Sequence, residues 1–226
     1  MYTLLLLSAG RGKRMEKEMP KQYLLLAGKP MIIHTLERID KIPKITDVVI
    51  VCENEFVPAI QLMIHQYNIS KPVKFIEGGK TRQESVFNGL QLVENENVII
   101  HEAARPFVLQ SEFQRLIDDE SQNVMLGYPI PFTVVKGDEK ITGLLERKEL
   151  VNVQLPQKFN TRTLKHVHEQ ARNEGREFTE DASMVYEYTK DSVKIIKGSS
   201  SNIKVTEPID LIMGEVLYKE YIAGRK

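Results

Sequence analysis

Apolar runs alternate with longer amphipathic stretches along this chain. Tyr2 to Leu7 is a nearly unbroken apolar run that stops at Ser8-Ala9-Gly10, which predicts a buried strand followed by a glycine-containing loop. Lys29 to Asp40 predicts a helix with Met31, Ile32, Leu36 and Ile39 on one side. Asp47 to Cys52 is a second buried strand, and Glu55 to Tyr67 a helix with Ile60, Met63 and Ile64 inward. Val73 to Glu77 is a third strand, Arg82 to Leu92 a helix, and Asn97 to His101 a fourth strand. Continuous apolar strands alternating with helices predict a mostly parallel sheet with helices on both faces. The fold class is therefore α/β, Rossmann-like in the broad sense.

The pattern changes after about residue 130. Thr133 to Asn152 is more polar and reads as short strands with turns, Gly137-Asp138 among them. Such a segment suits an antiparallel arm, spanning 133–152, that projects from the sheet. Regular patterning returns with a helix at Thr161 to Asn173, another over Asp181 to Tyr188, and a strand at Val193 to Lys197. A last helix starts near Glu207-Pro208, where proline suits a first helical turn. No internal repeat or low-complexity tract interrupts the chain. At 226 residues, one domain over 1–226 carrying the arm accounts for the whole length.

Charge and cysteine content narrow the function. Lys plus Arg equals Asp plus Glu, 31 against 31, which argues against a general nucleic-acid binder but does not exclude a local basic pocket. The single cysteine, Cys52, lies in the run Val48 to Cys52 and reads as a buried strand thiol. With no disulfide partner it suits a reducing compartment. No Cys or His spacing suggests a metal site. Leu4 to Leu7 is too short to span a bilayer and lacks a basic leader, so a soluble, cytoplasmic protein is expected.

Chemistry concentrates where strands end. Ser8-Ala9-Gly10-Arg11-Gly12-Lys13-Arg14-Met15 follows the first strand. Glycines there let a backbone approach a ligand closely, and free N–H groups can cradle phosphate. The segment is neither G-x-G-x-x-G nor a P-loop, which argues against an ATPase. A plain turn would also account for the glycines. Pro20-Lys21-Gln22-Tyr23 comes shortly after. Arg14 and Lys21 together could clamp a polyphosphate and offset charge that builds on phosphorus oxygens, although each alone reads equally well as a solvated cation. Gly78-Gly79-Lys80-Thr81-Arg82 with Ser85 follows the third strand, and His101 to Pro106 the fourth. Asn202-Ile203-Lys204-Val205-Thr206 follows the late strand. Ligands of open α/β sheets bind outside the carboxyl ends of strands, so these clusters point to one shared site.

These residues together resemble the 2-C-methyl-D-erythritol 4-phosphate cytidylyltransferase family, with the ribitol-5-phosphate cytidylyltransferases as near neighbours. The family's A-A-G-x-G-x-R-M appears as Ser8 to Met15, its P-K-Q-Y as Pro20 to Tyr23, and its G-K-P as Gly28 to Pro30, followed by His34-Thr35-Leu36-Glu37. Its G-G-x-x-R-x-x-S-V-x-N-G-L matches Gly78 to Leu90, and its H-D-A-A-R-P matches His101 to Pro106. Pro156 to Phe159, Thr179 to Ser183 and Asn202 to Pro208 match its later motifs. The resemblance implies CTP as donor, a polyol phosphate as acceptor, and Mg2+ or another divalent cation. It implies in-line attack of the acceptor phosphate on the α-phosphorus, with pyrophosphate released. Arg14 and Lys21 are the implied catalytic residues. Ser8, Ala9, Gly10, Gly12, Gly79, Arg82, Ser85 and Ala103, with those two cations, are the implied CTP site. Glu102, Arg105, Thr133, Arg147, Thr179 and Lys204 are the implied acceptor site. The resemblance also implies a homodimer whose arm carries Arg147 to the neighbour's substrate, with no nucleic acid or membrane partner.

This chain departs from the family at several positions. Ser8 replaces Ala, Glu102 replaces Asp, and Leu155 replaces Thr. The resemblance puts the replaced Asp near the metal, so Glu102 is a possible metal ligand, and the metal's ligands are otherwise unassigned. The last two changes fall on the acceptor side, which keeps D-ribitol 5-phosphate or another polyol phosphate open as acceptor. The T-E-D-A-S string favours the methylerythritol branch. A nucleotide-binding subunit without activity is a remote third reading, which the retained cations oppose. His65, His166 and His168 read as surface or packing residues, His101 as shaping its loop, and Glu16 and Glu18 as solvated charges.

Overall fold

The computed structural model describes residues 1–10, 20–190 and 192–222. Leu4, Leu5 and Leu6 are all fully buried, which requires a strand covered on both faces. That strand is β1 (Tyr2–Leu7). A short hairpin, β2 (Leu25–Leu26) and β3 (Lys29–Pro30), leads into α1 (Met31–Asp40) and then β4 (Ile45–Cys52). Next come α2 (Val57–Gln66), β5 (Val73–Glu77), α3 (Arg82–Leu90), β6 (Asn97–Glu102) and α4 (Gln110–Asp118). β7 (Val124–Pro129) precedes β8 (Val135–Gly137) and β9 (Ile141–Leu144), after which β10 (Val151–Asn160) runs into α5 (Thr161–Asn173). α6 (Asp181–Thr189), β11 (Lys194–Lys197) and α7 (Pro208–Leu217) follow.

Among the described residues, seven strands form the central sheet in the order β11-β7-β10-β6-β1-β4-β5. Every neighbouring pair is parallel except those of β10, which runs antiparallel to β6 and β7. The α/β expectation therefore holds, with one reversed strand. Alternation along β1 sorts the core into two layers. Leu4 and Leu6 pack with Ile32, Leu36, Ile60 and Phe113 of α1, α2 and α4. Leu5 packs on the other face with Val86, Leu90, Leu164 and Val185 of α3, α5 and α6. Cys52 is buried in the first layer, as the sequence suggests.

Parallel pairing places the strand ends on one edge. Leu7 lies opposite Val51 and Glu102, and Cys52 opposite Glu77. The loops after β1, β4, β5 and β6 must therefore emerge together.

The arm is a hairpin of β8 and β9, with Val135 opposite Leu144 and Lys136 opposite Gly143. Gly137 closes it at φ 144°, a conformation that favours glycine. Phe132, Ile141 and Leu144 remain 75%, 69% and 82% exposed, so the arm's apolar side chains find no seat within the chain. β10 rejoins the sheet at Val151, opposite Pro129. Among the described residues no helix is long and apolar enough to cross a membrane.

Candidate active site

Ser8 leaves β1 with its N–H donating to the Val51 carbonyl at 2.7 Å. Its hydroxyl donates to the Tyr23 hydroxyl at 3.2 Å, and Gln22 donates to its carbonyl. These bonds fasten the 3-10 turn Lys21–Tyr23 against the first loop. As a result Lys21 is only 9% exposed and lines the cleft, which a solvated surface cation would not do. The Ser8 hydroxyl thus has a structural partner that an Ala there would lack.

The loop after β5 is built on close approach. A Cβ on Gly78 would collide with Ala9, and one on Gly79 with Glu84. Gly79 N–H donates to the Ser85 hydroxyl at 3.1 Å, and that hydroxyl donates to the Thr81 carbonyl at 2.9 Å. Thr81 caps α3 by accepting from the Glu84 N–H at 3.1 Å. Capping fixes the helix start, and with it Arg82. At Gly10 an added Cβ would meet none of the described residues within 4 Å.

The floor is a chain of charges. Glu102, at the end of β6, accepts from Arg82 Nε at 3.2 Å and pairs with Lys204 Nζ at 2.7 Å. Arg105 Nε stands 3.8 Å from the same carboxylate, while its Nη1 donates to the Asn202 carbonyl at 3.1 Å. Burial pushes the Glu102 carboxyl up, but Lys204, Arg82 and Arg105 outweigh it and hold it at about 2. Arg82 Nη2 also donates to Asp181 at 2.7 Å. Burial likewise opposes ionisation of Asp181, yet Arg82 and the His168 bond hold it well below the usual carboxylate range. Behind the floor His101 is fully buried and donates to the Arg105 carbonyl, so it shapes that loop; burial and Arg105 push it down to about 3.

These loops enclose a cleft of about 880 Å3. It brings together Ser8, Ala9, Gly10, Lys21, Gly79, Arg82, Ser85, Glu102 and Lys204. Among the described residues four cations line it (Lys21, Lys80, Arg82 and Lys204), interleaved with Glu53, Glu77, Glu84 and Glu102. Ala103 is fully buried instead, and its neighbour Ala104 lines the cleft. Arg105 sits behind Glu102. Thr133, Arg147 and Thr179 are exposed and do not line the cleft. Arg147 Nη1 donates to the Pro131 carbonyl at 3.5 Å. Gly12 and Arg14, with Glu16 and Glu18, lie outside the described residues.

Gln22, Lys80, Ala104 and Thr206 also line the cleft; the sequence places them within the strand-end clusters but assigns none of them a role of its own. Glu53, just after β4, lines the cleft from outside every motif, and its place at a strand end was the available signal. Asp181 and His168 escaped the sequence reading of the site for a different reason. They sit on different helices and meet only through the fold.

Among the described residues no three His, Cys, Asp or Glu side chains are placed to hold a metal ion. Magnesium commonly keeps several waters and takes one or two carboxylates plus substrate phosphates. Glu102 supplies one such carboxylate, already engaged by Arg82 and Lys204. The donor set fits a cation carried in on a polyphosphate rather than one caged by protein.

Known proteins share both the sequence and the fold. The sequence model of the family described as IspD, 2-C-methyl-D-erythritol 4-phosphate cytidylyltransferase, matches residues 2–220. The chloroplastic 2-C-methyl-D-erythritol 4-phosphate cytidylyltransferase of Oryza sativa subsp. japonica is 38% identical, over 96% of this chain and 74% of its own. The Halalkalibacterium halodurans protein of the same name is 36% identical, over 97% of both chains. The crystal structure of the Thermus thermophilus cytidylyltransferase is 27% identical with a TM-score of 0.78, covering 97% of this chain and all of its own. A synthase structure from Anaerococcus prevotii, at 23% identity and a TM-score of 0.85 over 96% of both chains, shares the fold. With a match across nearly its full length and its charged cleft at the shared strand edge, this chain belongs to the 2-C-methyl-D-erythritol 4-phosphate cytidylyltransferase family.

Proposed function

We propose that this chain transfers CMP from CTP to 2-C-methyl-D-erythritol 4-phosphate, forming 4-diphosphocytidyl-2-C-methyl-D-erythritol and pyrophosphate. The observation that carries the reading is the convergence of Lys21, Arg82 and Lys204 on one cleft at the carboxyl edge of the parallel strands. An acceptor phosphate oxygen attacks the α-phosphorus in line, and the bond to the β-phosphate bridging oxygen breaks. No residue need become covalently attached. The protein's part is positioning and charge stabilisation.

The backbone at Ser8–Gly10 and Gly78–Gly79 takes the nucleotide, and Gly10 leaves room for its close approach. Lys21, with Arg14 as the resemblance implies, offsets charge that builds on the phosphorus oxygens. Lys204 takes the acceptor phosphate, exchanging Glu102 for it. Thr179 belongs to the acceptor side, as do the partner subunit's Thr133 and the partner subunit's Arg147, brought across by its arm. The apolar residues left exposed on the arm support that homodimer. Magnesium held by the triphosphate, with Glu102 as the available carboxylate, would neutralise phosphate charge.

Pyrophosphate release is the test, measured with CTP and a panel of acceptors that includes 2-C-methyl-D-erythritol 4-phosphate and D-ribitol 5-phosphate. Turnover is expected with the first. Faster turnover with ribitol phosphate would reassign the acceptor, and CTP binding without release for any acceptor would refute catalysis.

A further inference from the structure

Arg82 is held from behind by residues that do not line the cleft. Asp181, the first residue of α6, is fully buried, and its Oδ2 accepts from Arg82 Nη2 at 2.7 Å. Its Oδ1 accepts from His168 Nε2 at 3.0 Å across the α5–α6 contact. His168 is itself 1% exposed. An ionised carboxylate only accepts, so Nε2 carries the proton. Nδ1 then meets no hydrogen-bond partner among the described residues. A buried ring nitrogen left unpaired is costly, and an aliphatic side chain would pack α5 against α6 without that cost. What the imidazole adds is the bond to the second oxygen of Asp181.

That bond has a consequence at the cleft. The guanidinium is a rigid planar fork, so its bonds to Glu102 and Asp181 set its plane. Glu102 is shared with Lys204, which lines the cleft, and with Arg105 behind it. Among the described residues Asp181 is shared only with His168, and the start of its helix is pinned separately. There Glu180 accepts from the Ala182 N–H at 2.9 Å and from Gln157 Nε2 at 2.8 Å.

We propose that His168, acting through Asp181, is a positioning residue for Arg82 and so for the nucleotide polyphosphate. This rests on the reading of the cleft as a CTP site. His168 touches no substrate; it fixes the carboxylate that fixes the cation.

His168→Leu keeps the bulk and removes the donor, while His168→Gln returns an N–H at similar reach. Steady-state kinetics and CTP titration on the full chain separate the possibilities. His168→Leu is expected to raise the CTP KM and Kd about tenfold, as losing a bond to a charged group does. The acceptor KM should move less than about twofold, because that site is untouched. His168→Gln should return the CTP KM to within about threefold of wild type. In an Arg82→Ala background, His168→Leu should add nothing further to CTP binding. A purely packing role gives the opposite: a lower unfolding midpoint, an unchanged CTP KM, and the same penalty in both backgrounds. That outcome overturns the proposal. If His168→Leu does not fold, Asp181→Asn taken through the same cycle decides. A wild-type chain that fails to bind CTP defeats the cleft reading and this proposal together, whereas CTP binding without coupling to Arg82 defeats the positioning role alone.

Discussion

Replacing Glu102 with Gln removes the one negative charge shared by Arg82, Lys204 and Arg105, and its cost can be worked from the site. The carboxyl, ordinarily at 4.5, stands at about 2 in the folded chain. That difference corresponds to about 3 kcal/mol of stability at neutral pH. The sign follows from the direction: a depressed value means stability is present above about pH 4.5 and lost as pH falls toward 2. Breaking a buried pair by removing one partner costs about 3–5 kcal/mol in other proteins, which agrees. The Gln carbonyl can still accept from Arg82 or Lys204, so the lower figure is the better expectation. Urea unfolding of both chains at pH 7, read by far-UV circular dichroism because the chain has no Trp, measures it directly. The gap between variant and wild type should be about 3 kcal/mol at pH 7 and begin to close below about pH 4.5. A gap under about 0.5 kcal/mol, or one that widens on acidification, would refute the account of the floor as a charge network centred on Glu102.

Other consequences are separately measurable. Lys21→Ala should lower kcat by about a hundredfold or more while CTP Kd changes much less, since the cation meets charge that develops in the transition state; equal losses in both would contradict that role. His34, at about 4, and His101, at about 3, are both depressed first by burial, so each favours the folded state above about pH 6.5 and loses that contribution as pH falls. Each should add about 1.4 kcal/mol per pH unit to the acid dependence of unfolding between pH 6 and 4, and His101→Gln should remove one such share; an unchanged slope would count against it. Lys21→Ala and Arg147→Ala chains, each inactive alone, should regain roughly a quarter of wild-type activity when refolded together in equal amounts, because about half the dimers are mixed and each mixed dimer has one intact site. No recovery, once differential tagging shows mixed dimers, would place both residues at the same chain's site.

Some features were legible because they depend on local periodicity. The runs at Tyr2–Leu7 and Asp47–Cys52 announce buried strands, since a strand covered on both faces is mostly apolar, and Val73–Glu77 announces the half-buried edge strand. Asn160 caps α5 and Pro208 opens α7, and both ends fall where the sequence puts them. The arm showed itself through polarity and its glycine turn. β10 was hidden because Gln154, Gln157 and Lys158 are buried in its middle. They survive there because distant groups pair with them: Gln154 donates to the Ser199 carbonyl, Gln157 to Glu180, and Lys158 to the Asp119 carbonyl. No local pattern reports a partner 23 to 45 residues away. The site divides along the same line. The residue types and their places at strand ends were written in the chain, because glycine and cation chemistry is local. That Lys21 is buried rather than solvated, that Glu102 draws three cations, and that His168 reaches Arg82 through Asp181 were decided by tertiary structure. Burial and ion pairing are properties of what surrounds a residue, and for these residues the surroundings come from other strands and helices.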